Sequence, residues 1–296
     1  MSGRTGAEPE VLELDLPEVT LSALAWGPAE GPLVVALHGF PDTAWTWRHL
    51  GPHLADLGWR VVAPHLRGYA PSGLPRDGSF HVGALMADAV AVHERLGGDE
   101  RAVLVGHDWG AIAANALNGH DDSPFGRAVT LAVPPMQAMA GFDARLMLRQ
   151  ARHSWYILFN QLPVLPERTQ ERLVRKLWRD WSPGYDARED LGHVLAAVSA
   201  PDRRSAPFDY YRALTRPWTV PEAYRAWQAT LDALPTHPLL YLHGADDGCL
   251  DVGYAAKAAD GLPDLAEVVV VPGAGHFLQL EQPDAVNAAI ADFLAR

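Results

Sequence analysis

Apolar and polar residues follow two different periods along this chain. Residues 10–26 alternate between apolar and polar positions, which predicts two short strands in a hairpin. Continuous apolar runs predict buried strands at 33–37, 59–64, 102–106, 128–133, 238–244 and 267–273. Helical spacing predicts helices at 45–57, 82–96, 108–117, 251–260 and 281–294. Strands that alternate with helices indicate right-handed βαβ units and a mostly parallel sheet with helices on both faces.

The alternation of strands and helices stops in the middle of the chain. Residues 136–217 contain no strand pattern but several helical patches rich in Trp, Arg and Leu. An all-helical stretch between two halves of one sheet is best explained as an inserted cap. We therefore predict an α/β core domain from residues 1–135 and 218–296, and a helical cap subdomain from residues 136–217.

Composition and charge narrow the possible partners. The 296 residues include 36 acidic and 24 basic side chains, a net charge of -12. A chain of that sign repels phosphate backbones and anionic lipid, so we expect neither nucleic acid nor membrane partners. The N-terminus has no basic and apolar signal pattern, and the single cysteine, Cys249, suits a reducing compartment as a buried or loop thiol. We predict a cytoplasmic protein, either a monomer or a homodimer.

The segment Gly106-His107-Asp108-Trp109-Gly110 lies where a predicted strand turns into a predicted helix. This is the context of a nucleophile elbow, whose strained central residue needs small neighbours. The elbow usually carries serine, whereas here it carries Asp108. A carboxylate that attacks an sp³ carbon bearing a leaving group forms an alkyl ester that water can cleave, so epoxides and alkyl halides become the candidate substrates. The alternative is that Asp108 only caps the helix.

A carboxylate nucleophile needs a base that activates water, and on this kind of fold the order along the chain is nucleophile, acid, histidine. His276 lies in a Gly-rich loop after the last predicted strand, although most of the 13 histidines are expected to be structural. The acid should follow the preceding strand, where the G-x-x-D spacing from Gly244 favours Asp247. The adjacent Asp246 stays as the alternative.

The segment His38-Gly39-Phe40-Pro41 follows the first long buried strand. At this position the fold supplies one backbone N–H of an oxyanion hole. We predict that the amides of Phe40 and Trp109 donate to the carbonyl oxygen of the ester. A simple turn is the alternative explanation, and the sequence leaves the isomer of Pro41 open.

The H-G-F-P, G-H-D-W-G-A and G-H-F motifs resemble those of the soluble epoxide hydrolases in the α/β-hydrolase superfamily, from about residue 20 to the C-terminus. The resemblance implies the α/β-hydrolase fold and the addition of water to an epoxide through an aspartyl ester. It also implies two cap tyrosines that donate to the epoxide oxygen, matched here by Tyr156 and Tyr211, with Tyr210 as competitor. The Trp, Phe and Leu content of the cap favours a small apolar epoxide, in a pocket that we predict to include His38, Pro41, Trp155 and Phe277.

Two other functions stay open at this point. Haloalkane dehalogenases share the aspartate elbow but pair the following tryptophan with a second tryptophan, or with asparagine after H-G, where this chain has Phe40. A cap tryptophan such as Trp155 or Trp178 is the alternative second donor in this chain. A non-catalytic ligand-binding relative is the alternative of a different class. Nucleotide and metal motifs such as G-x-G-x-x-G after the first strand or H-E-x-x-H do not occur, so we predict no cofactor and no metal.

Overall fold

A computed structural model describes residues 8–141 and 143–296, and in these residues eight strands form one sheet. The strands are β1 (Glu10–Asp15), β2 (Thr20–Trp26), β3 (Leu33–Leu37), β4 (Arg60–Pro64), β5 (Val103–His107), β6 (Arg127–Leu131), β7 (Leu239–Gly244) and β8 (Ala266–Val271). Their spatial order is β1-β2-β4-β3-β5-β6-β7-β8. The hairpin β1–β2 pairs antiparallel with β4, and all other neighbours are parallel. The predicted mostly parallel sheet is confirmed.

The helices follow the predicted positions closely. They are α1 (Leu50–Asp56), α2 (Val82–Arg95), α3 (Trp109–Asn118), α4 (Ala144–His153), α5 (Trp155–Phe159), α6 (Leu165–Arg168), α7 (Gln170–Trp181), α8 (Arg188–Val198), α9 (Ala206–Leu214), α10 (Arg225–Gln228), α11 (Gly253–Gly261), α12 (Leu278–Glu281) and α13 (Pro283–Leu294). The predicted helix at 45–57 is a 3₁₀ turn at Ala44–Trp47 followed by α1. Within the described ranges, none of these helices is long and apolar enough to cross a bilayer.

Alternating side chains of the central strands build two separate apolar layers. On β3, Val35 and Leu37 belong to the layer that contains α2 and α3, whereas Val34 and Ala36 belong to the layer that contains α1 and α13. All five residues of β3 are buried, because the strand has helices on both faces. Because β3 to β8 pair in parallel, their carboxyl ends lie along one edge of the sheet, and the predicted site residues follow β3, β5, β7 and β8 at that edge.

The segment 136–217, called the cap segment below, contains α4 to α9 and no strand among its described residues. Several hydrogen bonds connect it to the core. Among them, the Tyr210 hydroxyl donates to the carbonyl of Arg67 at 2.9 Å, and Trp178 Nε1 donates to the carbonyl of Pro41 at 2.8 Å. The Arg48 guanidinium also pairs with the buried carboxylate of Asp190 at 2.6 Å. These contacts hold the cap segment over the carboxyl edge of the sheet, and the exact division into two domains stays a prediction.

Candidate active site

Asp108 lies between the end of β5 and the start of α3, with a backbone φ of 51° and ψ of -113°. A positive φ is strained for a residue with a side chain, and such strain costs about 1–3 kcal/mol. The turn is possible because its neighbours are small: a Cβ on Gly106 would overlap the carbonyl of Gly110, and a Cβ on Gly110 would overlap the carbonyl of Leu37. The Asp108 side chain makes no capping hydrogen bond to α3, so the helix-cap explanation is wrong.

One oxygen of Asp108 is held by the loop after β3. The backbone N–H of Phe40 donates to Asp108 Oδ1 at 2.7 Å. Gly39 allows this approach, because a Cβ at that position would overlap the Asp108 side chain and lie 2.7 Å from the amide nitrogen of Trp109. The amide nitrogen of Trp109 therefore lies close to the loop that carries Phe40. That the two amides form an oxyanion hole stays a prediction.

His38 and Pro41 shape this loop from within. The N–H of Leu66 donates to His38 Nε2 at 3.0 Å, so the proton is on Nδ1, which donates to the carbonyl of Gly39 at 2.9 Å. Burial lowers the pKa of His38 to about 3, and the ring stays neutral. Both ring nitrogens are thus used by the backbone, and His38 supports the loop. The peptide bond between Phe40 and Pro41 is cis.

The acid beside His276 is Asp247. Its Oδ2 accepts from His276 Nδ1 at 3.0 Å, while its Oδ1 accepts the backbone N–H groups of Cys249 at 2.7 Å and Leu250 at 3.0 Å. Burial opposes the charged carboxylate, but the charge and the hydrogen bond of His276 outweigh burial and lower the pKa of Asp247. Asp246 is exposed to solvent. These contacts favour Asp247 over Asp246 as the orienting acid.

His276 is buried between two carboxylates. Its Nε2 lies 3.8 Å from Asp108 Oδ2, on the side opposite the hydrogen bond to Asp247. Burial disfavours the imidazolium, but the Asp247 charge and the interaction with Asp108 outweigh it and raise the pKa of His276 to about 10. Backbone contacts fix the loop, since the His276 N–H donates to the carbonyl of Trp181 at 3.0 Å and His107 Nε2 donates to the carbonyl of His276 at 2.9 Å.

Two tyrosines of the cap segment complete the cluster. The rings of Tyr156 and Tyr211 lie 5.6 Å apart, and the ring of Tyr211 also contacts those of Phe40 and Trp109, each at 5.1 Å. The Tyr211 hydroxyl is buried and has no hydrogen-bond partner among the described residues. Burial raises the pKa of both phenols, reinforced by Cys249 for Tyr156 and by the charge of Asp108 for Tyr211, so both phenols are neutral. The hydroxyl of the competitor Tyr210 is already used to fasten the cap segment.

The other pocket predictions have different outcomes. Trp155 needs correction: its side chain is 37% exposed, packs on Phe159 and lies beside Lys176 on the outer surface. Phe277 is fully buried and stacks on Trp178 with ring centroids 3.5 Å apart, directly beside the base. Its role in a substrate pocket stays a prediction.

Sequence reasoning missed Trp181 and Cys249. The ring of Trp181 packs against those of Tyr156 and His276, each at 4.9 Å. None of the sequence motifs considered above contains Trp181. The thiol of Cys249 lies 3.4 Å from the Tyr156 hydroxyl. The only signal for Cys249 was its position two residues after the acid.

One group of side chains has the composition of a metal site. Asp247, Cys249 and His276 each bring a ligand atom within 4.8 Å of the others. In this structure Asp247 and His276 bond to each other, which is the arrangement of an acid and a base rather than of two ligands. That no metal or cofactor takes part stays a prediction.

Comparisons with known proteins identify the family. The chain belongs to the α/β hydrolase fold family, whose model matches residues 32–283. Epoxide hydrolase A of Mycobacterium tuberculosis is 30% identical and aligns over 98% of both chains. The crystal structure of epoxide hydrolase A from Mycobacterium thermoresistibile is 27% identical, with a TM-score of 0.77 over 97% of this chain and 98% of that chain. Epoxide hydrolase VrEH1 from Vigna radiata is 26% identical, with a TM-score of 0.78 over the same shares. The resemblance found in the motifs is confirmed, and the chain is a hydrolase.

Proposed function

We propose that this protein adds water to a small apolar epoxide and releases a vicinal diol, through a covalent ester on Asp108. The observation that carries the proposal is the Asp108 carboxylate on a strained backbone turn. The Phe40 N–H donates to one of its oxygens, and His276 lies beside the other. The buried hydroxyls of Tyr156 and Tyr211 lie in the same cluster. Three related proteins that are named epoxide hydrolases support the choice of substrate.

In the first step, Asp108 Oδ2 attacks an epoxide carbon while the bond from that carbon to the ring oxygen breaks. Oδ1, already held by the Phe40 N–H, becomes the carbonyl oxygen of the ester. The departing oxygen takes a proton from Tyr211 or Tyr156, whose phenols are neutral because burial raises the pKa of each. The phenolate recovers a proton by exchange as the imidazolium of His276 gives up its own.

In the second step, neutral His276 takes a proton from water and the resulting hydroxide attacks the carbonyl carbon of the ester. The amides of Phe40 and Trp109 stabilise the negative charge on the carbonyl oxygen. Collapse of the tetrahedral intermediate breaks the bond from the carbonyl carbon to the diol oxygen, which takes the proton of the added hydroxyl. The diol is released and the Asp108 carboxylate is regenerated beside the His276 imidazolium. Atoms and charge balance over the cycle: one epoxide and one water give one diol.

Isotope labelling tests the covalent step. With enzyme in excess over styrene oxide in ¹⁸O-water, the first turnover should put the label into the Asp108 carboxylate and not into the diol. His276→Gln should accumulate a protein heavier by the mass of the epoxide, because alkylation continues while ester hydrolysis stops. Label in the diol during the first turnover would refute the ester.

One observation keeps dehalogenation as a second candidate. Trp109 Nε1 is buried and has no partner among the described residues, as a halide donor would be. A second N–H donor is needed. Trp178 Nε1 already donates to Pro41 and Trp155 lies on the outer surface, so Trp181, beside Tyr156 and His276, is the cap tryptophan that would have to supply it. Bromide release from bromoalkanes, without diol from a panel of aromatic and aliphatic epoxides, would assign the site to dehalogenation.

A further inference from the structure

The charge of the cap segment is opposite in sign to that of the whole chain. The cap segment contains 13 Arg or Lys and nine Asp or Glu, a net charge of +4, in a chain whose net charge is -12. Residues 144–179 alone contain eight Arg or Lys and two Glu, a net charge of +6. The positive charge is therefore concentrated in a short stretch that includes α4, α5, α6 and most of α7. The net charge of the whole chain does not determine how such a region interacts with a partner, because charges more than about 8 Å away are largely screened at physiological salt.

Helix α7 separates its residues by chemistry. Its inner side is buried and apolar, with Leu173, Val174, Leu177, Trp178 and Trp181. The outer side, with the end of α6, lines a shallow depression of about 570 Å³ whose basic residues are Arg168, Arg172, Arg175, Lys176 and Arg179. Two acidic residues, Glu171 and Asp180, pair with part of this set. We call these five basic residues the basic face.

Exposed apolar side chains adjoin the basic face. Leu158 is 75% exposed, and Leu162, Val164 and Leu165 in the following turn are each more than two-fifths exposed. Lys176 Nζ lies 5.6 Å from the centre of the Trp155 ring, which joins this apolar group to the basic face. We call Trp155, Leu158, Leu162, Val164 and Leu165 the apolar rim. Contiguous exposed apolar residues on a folded protein mark a docking surface.

We infer that the basic face and the apolar rim together dock on an anionic phospholipid bilayer. Arg and Lys side chains suit lipid phosphates, while Trp and Leu side chains enter the boundary between headgroups and acyl chains. A second copy of this chain is disfavoured because an isologous contact would bring two basic faces together. Nucleic acid would match the charge but would leave the leucines of the apolar rim without a partner. The expectation of no membrane partner rests on the total charge of the chain, whereas this inference rests on how the charge is distributed.

The position of α5 connects this surface to the active site. Trp155 and Leu158 lie on its outer side, whereas Tyr156 is 5% exposed and belongs to the catalytic cluster. This connection rests on the proposed function, since an apolar epoxide partitions into lipid and a docked cap segment would meet it there. The docking itself is defined by charge and exposure and does not depend on turnover.

Vesicle flotation of the full-length protein tests the inference. We expect binding to vesicles that contain phosphatidylglycerol, weaker binding as salt is raised, and little binding to pure phosphatidylcholine. Arg172→Glu/Arg175→Glu should lower the partition coefficient at least about tenfold, because each basic residue near an anionic surface contributes about fivefold. Leu158→Glu/Val164→Glu should lower it as well. Epoxide turnover in solution should be unchanged in both variants.

Matched controls come from the core. Arg101 and Arg175 are similarly exposed and each pairs with a nearby acid, so Arg101→Glu should leave vesicle binding unchanged. Leu57 is 56% exposed on the core, and Leu57→Glu should also be silent. Equal binding to both lipid compositions, or equal losses in core and cap variants, would overturn the inference. A dimer in solution that Leu158→Glu/Val164→Glu dissociates would assign the apolar rim to a second copy. Vesicle binding by a wild-type protein that turns over no epoxide would instead count against the proposed function and leave the docking inference standing.

Discussion

Replacing Asp108 with asparagine removes one of the two carboxylate charges beside His276 and preserves the shape of the side chain. The lost charge lies 3.8 Å from His276 Nε2. At an effective dielectric constant of about 20, two unit charges at that distance interact by about 4 kcal/mol. That energy corresponds to about a thousandfold change in proton affinity. His276, whose pKa is raised to about 10 in the resting protein, should therefore titrate much closer to neutral pH in Asp108→Asn.

Ester formation removes the same charge during the proposed reaction. Alkylated Asp108 is neutral, so His276 should lose affinity for its proton at the point where a base is needed. The rate of ester hydrolysis, measured in single turnovers, should consequently rise with pH through the neutral range and then level off. In the proposed mechanism, the charge of Asp108 thus couples the two steps.

NMR titration of ring-labelled histidine measures this effect directly. The spectrum of His276→Gln identifies the resonance among the 13 histidines, and Asp246→Asn serves as a control because Asp246 is exposed. Wild-type His276 should stay protonated up to about pH 10. In Asp108→Asn the proton affinity of His276 should be at least about 100-fold lower. A decrease of less than tenfold in the proton affinity of His276 would refute the electrostatic coupling between Asp108 and His276.

The pH dependence of the free energy of unfolding should reflect the same coupling between Asp108 and His276. A histidine whose pKa is raised on folding contributes stability that is fully present below its ordinary pKa of 6.5 and is lost as pH rises towards 10. Thermal unfolding of the wild type should therefore show falling stability over this range. The slope should be smaller in Asp108→Asn, because the raised pKa depends on the Asp108 carboxylate.

The remaining predictions compare neighbouring residues. Asp247→Asn should slow ester hydrolysis by about 10²- to 10⁴-fold in single-turnover assays, whereas Asp246→Asn should change it little. Tyr211→Phe should slow alkylation by about 10²- to 10³-fold with normal folding, whereas Tyr210→Phe should lower the free energy of unfolding by about 1–3 kcal/mol and leave alkylation nearly unchanged. Cys249→Ser should preserve the alkylation rate, and Cys249→Ala should change that rate without changing ester hydrolysis; equal effects on both steps would contradict a contact that acts through the cap tyrosine.

The arrangement of Asp108, Asp247 and His276 was predictable because each follows a strand of one parallel sheet. The carboxyl ends of such strands meet at one edge, so spacing along the chain determines proximity in space. The choice between Tyr210 and Tyr211 needed the structure, since adjacent residues of a helix differ by about 100° in direction and both sides of α9 are buried.

Trp155 was misplaced for the same geometric reason. It precedes Tyr156 on α5, and a neighbour in sequence on a helix points to a different side, here the outer surface. The position of Cys249 in the site could not be predicted, because a single thiol forms no periodic pattern in the sequence. Its contact with the Tyr156 hydroxyl depends on how the cap segment sits over the loop after β7.

The core of this site suits any substrate in which a carboxylate displaces a leaving group from carbon, so the distinction between substrates lies with the leaving-group donors. An alkoxide is a strong base and must be protonated as it leaves, whereas a halide needs only N–H contacts. The cap segment provides two buried neutral phenols, and one of them has no competing partner among the described residues. The indole N–H of Trp178 is already used to fasten the cap segment to the core. Two phenols that can protonate a departing alkoxide therefore lie in the same cluster as Asp108, and their presence favours epoxides over alkyl halides.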